Sequence, residues 1–279
     1  MPDFGSFRGF GEKLTQGQTP TQLGMIGSLT FAYDPDAVLF FDRVTIAGGT
    51  LSIKEKEATS NLVIDLKNYG IWSAMKAVYP MVGASAAACA QNLKSSSFTG
   101  TFSSGWTFAI TGVTPNGTSA YFDTNFIPST NLTLNNTHIS HYSRTQRLVQ
   151  SVDMGCVGSG ELSMFRYHMN VENMVIQYTF PGNANRYNTN DTTGLLLGSR
   201  TSSTYATLFD RGIKQSTITS TSTGTLPNTK MHIGNMNPQY LPSANQCAFA
   251  SIGDGLNDTQ ALDLYNIVQT FQTTLSRQV

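Results

Sequence analysis

The sequence is poor in charge. Only 12% of its 279 residues are Asp, Glu, Lys or Arg, about half the usual quarter. The 17 basic residues cancel the 17 acidic ones. A neutral chain with no basic stripe or tail lacks the electrostatic footprint of a nucleic-acid binder. Cysteine is scarce too. Cys89, Cys156 and Cys247 are far apart and form no CxxC pair, which leaves neither a disulfide framework nor zinc-ligand spacing; they read as small buried apolar residues. No apolar run approaches the roughly 18 residues of a membrane-spanning helix. Residues 1–20 lack the charged-then-apolar layout of a signal peptide, so synthesis in a cytoplasm is expected. The Asn-x-Thr triplets beginning at Asn116, Asn131, Asn135, Asn190 and Asn257 accordingly read as turns and caps. Thr, Ser, Asn and Gly fill the place of charge, giving a hydroxyl- and amide-rich surface suited to β-structure and dense assemblies.

Residues 1–30 form a Gly/Gln/Thr-rich arm carrying Phe4, Phe7 and Phe10. It is too glycine-rich to build a core alone. Two readings stay open: a disordered tail, or an attachment arm that orders on a partner by inserting its phenylalanines. Residues 31–95 read as a small helical docking unit. Asp34 caps a first helix with Pro35 at its first position. Ser52 and Glu55 make a capping box for a second, whose stripe of Ala58, Leu62, Leu66 and Tyr69 stops at Gly70. Ile71 to Tyr79 reads as a third helix ended by Pro80. Phe40, Phe41, Trp72 and Tyr79 are more apolar surface than so short a segment can cover, which predicts a homo-oligomer, a trimer by analogy with virus appendages, with these residues at the contact.

From about residue 96 the periodicity changes to two. Strands are predicted at 98–102, 106–110, 120–126, 137–142, 161–167, 174–178, 195–197, 204–209, 231–234 and 248–252. Turn clusters such as Pro115-Asn-Gly117 and Asp210-Arg-Gly212 separate them. Many short, evenly spaced strands predict a β-sandwich or jelly roll over 96–279. The stretch Gly253-Asp-Gly-Leu-Asn-Asp-Thr-Gln260 resembles a calcium loop only superficially. Counting from Asp254, the positions that need oxygen or glycine hold Leu256, Thr259 and Tyr265. Asn257 and Gln260 fit a capping box, and Ala261, Leu264, Val268, Phe271 and Leu275 follow at helical spacing. The last strand therefore turns into a C-terminal helix, with no metal.

The segment Thr204-Tyr-Ala-Thr-Leu-Phe-Asp-Arg-Gly212, the Leu226-Pro-Asn228 turn and Met231-His-Ile-Gly-Asn235 resemble the laminin-G/concanavalin-A-like jelly roll. Gly70-Ile-Trp-Ser-Ala-Met-Lys-Ala-Val-Tyr-Pro-Met-Val-Gly83 and Phe249-Ala-Ser-Ile-Gly-Asp-Gly255 are similar to a module of tailed-phage and other bacterial-virus virion proteins, in which a short helical unit precedes such a domain. The resemblance covers about residues 34–279. It implies a mainly β virion structural protein, a fibre or spike component that meets the host surface, with other virion chains as partners.

Jelly rolls of this kind also include glycosidases, which require two carboxylates at defined separation. The β-region holds only Glu161 and Glu172 as glutamates, on separate predicted strands, and lacks the closely alternating acidic triplet of glucanases. No enzyme is expected. His138, His141, His168 and His232 form no HExxH motif, and His138 and His141, three apart on a strand, face opposite ways. No cofactor is implied. For binding, Asn183, Asn185, Arg186, Tyr187 and Asn188 form a polar loop with an aromatic in its middle, and Tyr240 belongs to a second such set, Asn237-Pro-Gln-Tyr240. Amides and a guanidinium can pair with sugar hydroxyls while a ring covers an apolar sugar face. Either set also reads as a solvated turn. A glycan-binding appendage and a purely structural spike or decoration protein are the two leading readings.

Overall fold

A computed structural model describes residues 32–146, 149–158, 163–169, 174–178, 185–189, 191–222, 224–237 and 241–279. Phe4, Phe7 and Phe10 lie outside the described residues. Residues 33–279 form one compact unit, so no boundary falls at residue 95.

The chain is mainly β, as its periodicity predicts. One sheet orders β13 (Ile213–Ile218), β12 (Tyr205–Asp210), β11 (Gly194–Ser202), β6 (Thr137–Ser143), β16 (Cys247–Gly253), β4 (Gly112–Pro115) and β3 (Trp106–Ala109), with β1 (Met75–Tyr79) also on β16. The second orders β10 (Asn185–Asn188), β9 (Met174–Tyr178), β8 (Ser163–Met169), β7 (Ser151–Val157), β14 (His232–Ile233), β5 (Phe122–Asp123) and β2 (Thr101–Phe102), with β15 (Met236–Asn237) also on β7. The paths along both sheets are antiparallel, and the architecture is a two-sheet sandwich of jelly-roll type. Between the sheets Tyr79, Val113, Ile139, Ala250 and Ile252 of the first meet Phe122, Met154, Cys156 and Ile233 of the second.

The central strands of the first sheet are buried on both faces. Its other face packs under three helices, α1 (Pro35–Ile46), α2 (Ile53–Asn68) and α5 (Asp258–Thr274). Phe40, Leu62, Leu66, Leu264 and Phe271 there meet Val78, Tyr142, Leu195, Leu197 and Phe249 of the strands. This layer overturns the oligomer-contact assignment. Phe40 and Tyr79 are fully buried and Phe41 is 7% exposed within one chain. Trp72, half-buried, packs on the same core and donates its indole N–H to Asp36 (3.1 Å), under the Lys94 ammonium at 4.2 Å. The apolar surface that appears surplus in the sequence is the complement of a sheet face that alternation alone would leave wet.

The third predicted helix is a single 3₁₀ turn, Trp72–Ala74, followed by β1. A strand covered on both sides reads as a continuous apolar run, which periodicity cannot separate from a buried helix. The local signals hold better. Asp34 accepts from Asp36 N–H at the start of α1, and Ser52 and Glu55 cap α2 reciprocally. Gly70 takes φ +69° just past its end, where a Cβ would be strained.

Asn257 accepts from Gln260 N–H (2.9 Å) while the Gln260 side chain accepts from Asn257 N–H (3.1 Å). The carboxylates beside this cap are engaged by lysines, Asp254 by Lys76 (3.2 Å) and Asp258 by Lys214 (2.6 Å). Asn257→Ala is expected to lower the unfolding free energy by about 1 kcal/mol, measured in urea. EDTA should leave the wild-type melting temperature unchanged, and a drop of several degrees would reverse this reading of the stretch.

Candidate functional site

The predicted sugar-binding loop is in part a strand. Asn185 to Asn188 pair with Gln177 to Met174 as β10. Tyr187 is half-buried and packs against Leu196 and Leu208, so its ring is engaged by its own chain. Asn183 and Tyr240 lie outside the described residues, and of Asn185, Arg186 and Asn188 only the backbone placement is described. The structure describes neither predicted set completely.

It assembles a different site on the second sheet. Phe102, Phe122, Ile233 and Met154 lie in one cross-strand row, and they belong to the inter-sheet core. Strand side chains alternate faces, so the next row, Thr101, Asp123, His232 and Gly155, faces away from it. Tyr121 joins this row by stacking on His232, with ring centroids 4.6 Å apart and planes 10° from parallel. The His232 Nδ1 atom is 3.0 Å from the Asn235 side-chain oxygen, reached across a turn at Gly234 with φ +88°. Burial lowers the His232 pKa, leaving a neutral imidazole at neutral pH.

Beside the stacked pair, Lys230 donates to Asp123 (2.9 Å) and Asn125 (2.7 Å). Asn125 N–H donates to the other Asp123 oxygen (2.8 Å), and its side-chain amide to Thr99 O (2.9 Å). Ser243 and Asn245 donate to buried Asp153 of β7 at 2.6 and 2.8 Å, and the Asp153 carbonyl accepts from Gly234 N–H (2.8 Å). The site thus offers a half-buried Tyr121 ring backed by the buried His232 imidazole, rimmed by a carboxylate, an ammonium and an amide. The site is not legible in the sequence, because Tyr121 and His232 are 111 positions apart and no local spacing joins them. The only local trace is that Asp123 and His232 each precede or follow a core residue in a short alternating run.

A second constellation imitates a catalytic one. Ser251 Oγ lies 3.0 Å from His138 Nε2, His138 Nδ1 lies 2.6 Å from Asp254 O, and Ser140 Oγ lies 2.7 Å from Ser251 Oγ. All three side chains are essentially inaccessible, with no space for a reacting group. They are a polar seam joining β6 to β16. Glu161 and Glu172 lie outside the described residues.

No family model matches the chain. No curated protein matches it either. Among solved structures, the botulinum neurotoxin serotype D binding domain aligns with TM-score 0.49 and 8% identity, covering 71% of this chain and 52% of that one. A mutant Trypanosoma rangeli sialidase displaying trans-sialidase activity aligns with TM-score 0.46 and 9% identity, over 77% and 40%. Domain 4 of AbnA, an extracellular arabinanase from Geobacillus stearothermophilus, solved with arabinotriose, aligns with TM-score 0.40 and 13% identity, over 68% and 98%. The alignment spans about half the length of the first of these. Likenesses this distant leave function to be argued from the residues of the chain itself.

Proposed function

We propose that this chain is a virion structural protein of a bacterial virus, a fibre- or spike-type appendage whose sandwich holds a host-surface glycan on the Tyr121–His232 face without cleaving it. The virion assignment rests on the motifs at 70–83 and 249–255, and localisation to the particle follows from it. In this reading Phe4, Phe7 and Phe10 attach the chain to other virion proteins. The glycan assignment rests on the Tyr121–His232 stack beside Asp123, Asn125 and Lys230. A sugar presents vicinal hydroxyls, which both donate and accept, and a face of C–H groups. A carboxylate and amide oxygen accept, an ammonium donates, and an aromatic ring covers the C–H face.

One observation favours the purely structural alternative: Asp123 and Lys230 already satisfy each other. Binding to an array of host polysaccharides separates the readings. Retention of the wild type is expected, with at least a ten-fold loss for Tyr121→Ala and a smaller loss for Tyr121→Phe, which keeps the platform. A ten-fold loss corresponds to about 1.4 kcal/mol, within reach of one ring contact. No retention would leave the structural role, and release of oligosaccharides would show an enzyme.

A further inference from the structure

The helical layer carries a cleft of its own between α2 and α5, about 250 Å³ in volume. Its floor is apolar: Leu62, Ile267 and Phe271 are each at most 4% exposed. Asn61 and Thr270 form the rim, and Asp65 is the one ionisable residue that lines it. The Thr270 hydroxyl is committed to its own helix, donating to Asn266 O (2.9 Å).

Asp65 is the acidic group that lines the cleft, and several other carboxylates of the helical layer and its edge are engaged elsewhere. Asp34 and Asp36 are paired with Lys67, Asp254 with Lys76 and Asp258 with Lys214, while Glu55 accepts from Ser52 and Gly83. The Asp65 carboxyl has no ion pair or hydrogen bond among the described residues, and burial raises its pKa with no cation to offset it. A carboxylate held in a half-dry cleft without a partner is a cost to the folded chain. It is also a recognition element for an incoming cation.

We infer that this cleft receives a lysine or arginine side chain from a different protein chain. The fit is chemical and dimensional. A long basic side chain lays its methylene stem along an apolar floor while its head group meets a carboxylate. The volume lies below the roughly 300–1,000 Å³ of sites for whole small molecules, and suits one extended side chain. The inference is independent of the glycan reading, since the cleft sits on the helical layer and the Tyr121–His232 face belongs to the other sheet.

The test uses the full chain and n-butylguanidinium as the probe, with n-butanol as its neutral counterpart, followed by amide shifts in NMR. Saturable shifts at Asn61 and Thr270 are expected with the cation only, weakened about ten-fold in Asp65→Asn, the scale of one charge-assisted hydrogen bond. Asp65→Asn and Asp65→Leu should fold with melting temperatures equal to or above the wild type, because the carboxylate has nothing to hold in the free protein. Equal shifts with n-butanol, or an unchanged response in Asp65→Asn, would overturn the inference. So would a loss of stability in both variants, which would make Asp65 a structural group. Asp65-dependent self-association in sedimentation would overturn the choice of partner in favour of a second copy.

Discussion

Replacing Arg277 by alanine is expected to lower the unfolding free energy by about 4 kcal/mol, enough to unfold a marginal domain. The guanidinium is 1% exposed. It has no carboxylate partner in its hydrogen-bond set: it donates to Gln272 Oε1 (2.5 Å), Met81 O (2.7 Å), Pro80 O (2.7 Å) and Ala248 O (2.8 Å). Burial lowers its pKa to about 10, so it remains charged at neutral pH. Its planar fork fastens the segment after α5 to the end of β1 and to β16 at once. Truncation leaves several buried carbonyls without a donor, each costing about 1–3 kcal/mol unless water enters. Arg277→Met keeps much of the volume but supplies no donor, so it should fall nearly as far. Arg277→Lys, with a compact head that cannot span the fork, should fall about half as far. Urea titrations with an unchanged m-value would measure this, and a loss below 1 kcal/mol for alanine would show that water replaces the fork.

Acid is expected to destabilise the protein well before its carboxylates protonate. Burial holds His138 neutral, with its pKa lowered from 6.5 to about 4. As pH falls, the unfolded chain takes up this proton near pH 6.5 and the folded chain only near pH 4. The contribution is therefore complete above about pH 6.5 and is lost progressively towards pH 4. At pH 5 the loss relative to pH 8 is about 2 kcal/mol. His232, also depressed by burial, adds in the same direction, so His138→Gln should reduce the slope without abolishing it. Asp36, held low by its hydrogen bond from Lys67, acts only below the ordinary carboxylate range and is separable. A stability profile flat from pH 8 to pH 5 would refute the assignment.

Local features were the legible ones. The caps at Asp34, Ser52 and Asn257 and the stop at Gly70 depend on hydrogen bonds or dihedrals within about four residues, so four letters specify them. Strands with one covered face, such as β3 and β5, were found by alternation. β13 was missed because its Lys214, Gln215, Ser216 and Thr217 make a polar, largely exposed strand at a sheet edge with no hydrophobic period. In β16 a bulge between Cys247 and Phe249 places Ala248 and Phe249 together on the helical side, which breaks the period there as well.

What the sequence by itself determined is the β-rich class, the three capped helices and the neutral, amide-rich surface. Each follows from composition or from bonds closed within a few residues. Only the tertiary structure decided that the helices cover the first sheet, that Phe40, Phe41 and Tyr79 are core, and that Tyr121, Asp123, Lys230 and His232 share one face. Those outcomes depend on strand register between positions as far apart as Asp123 and His232. A shift of one residue in that register would leave Tyr121 and His232 on opposite faces and turn either Phe122 or Ile233 outward. Register is fixed by burial summed over a whole sheet, a quantity that no short stretch of sequence contains.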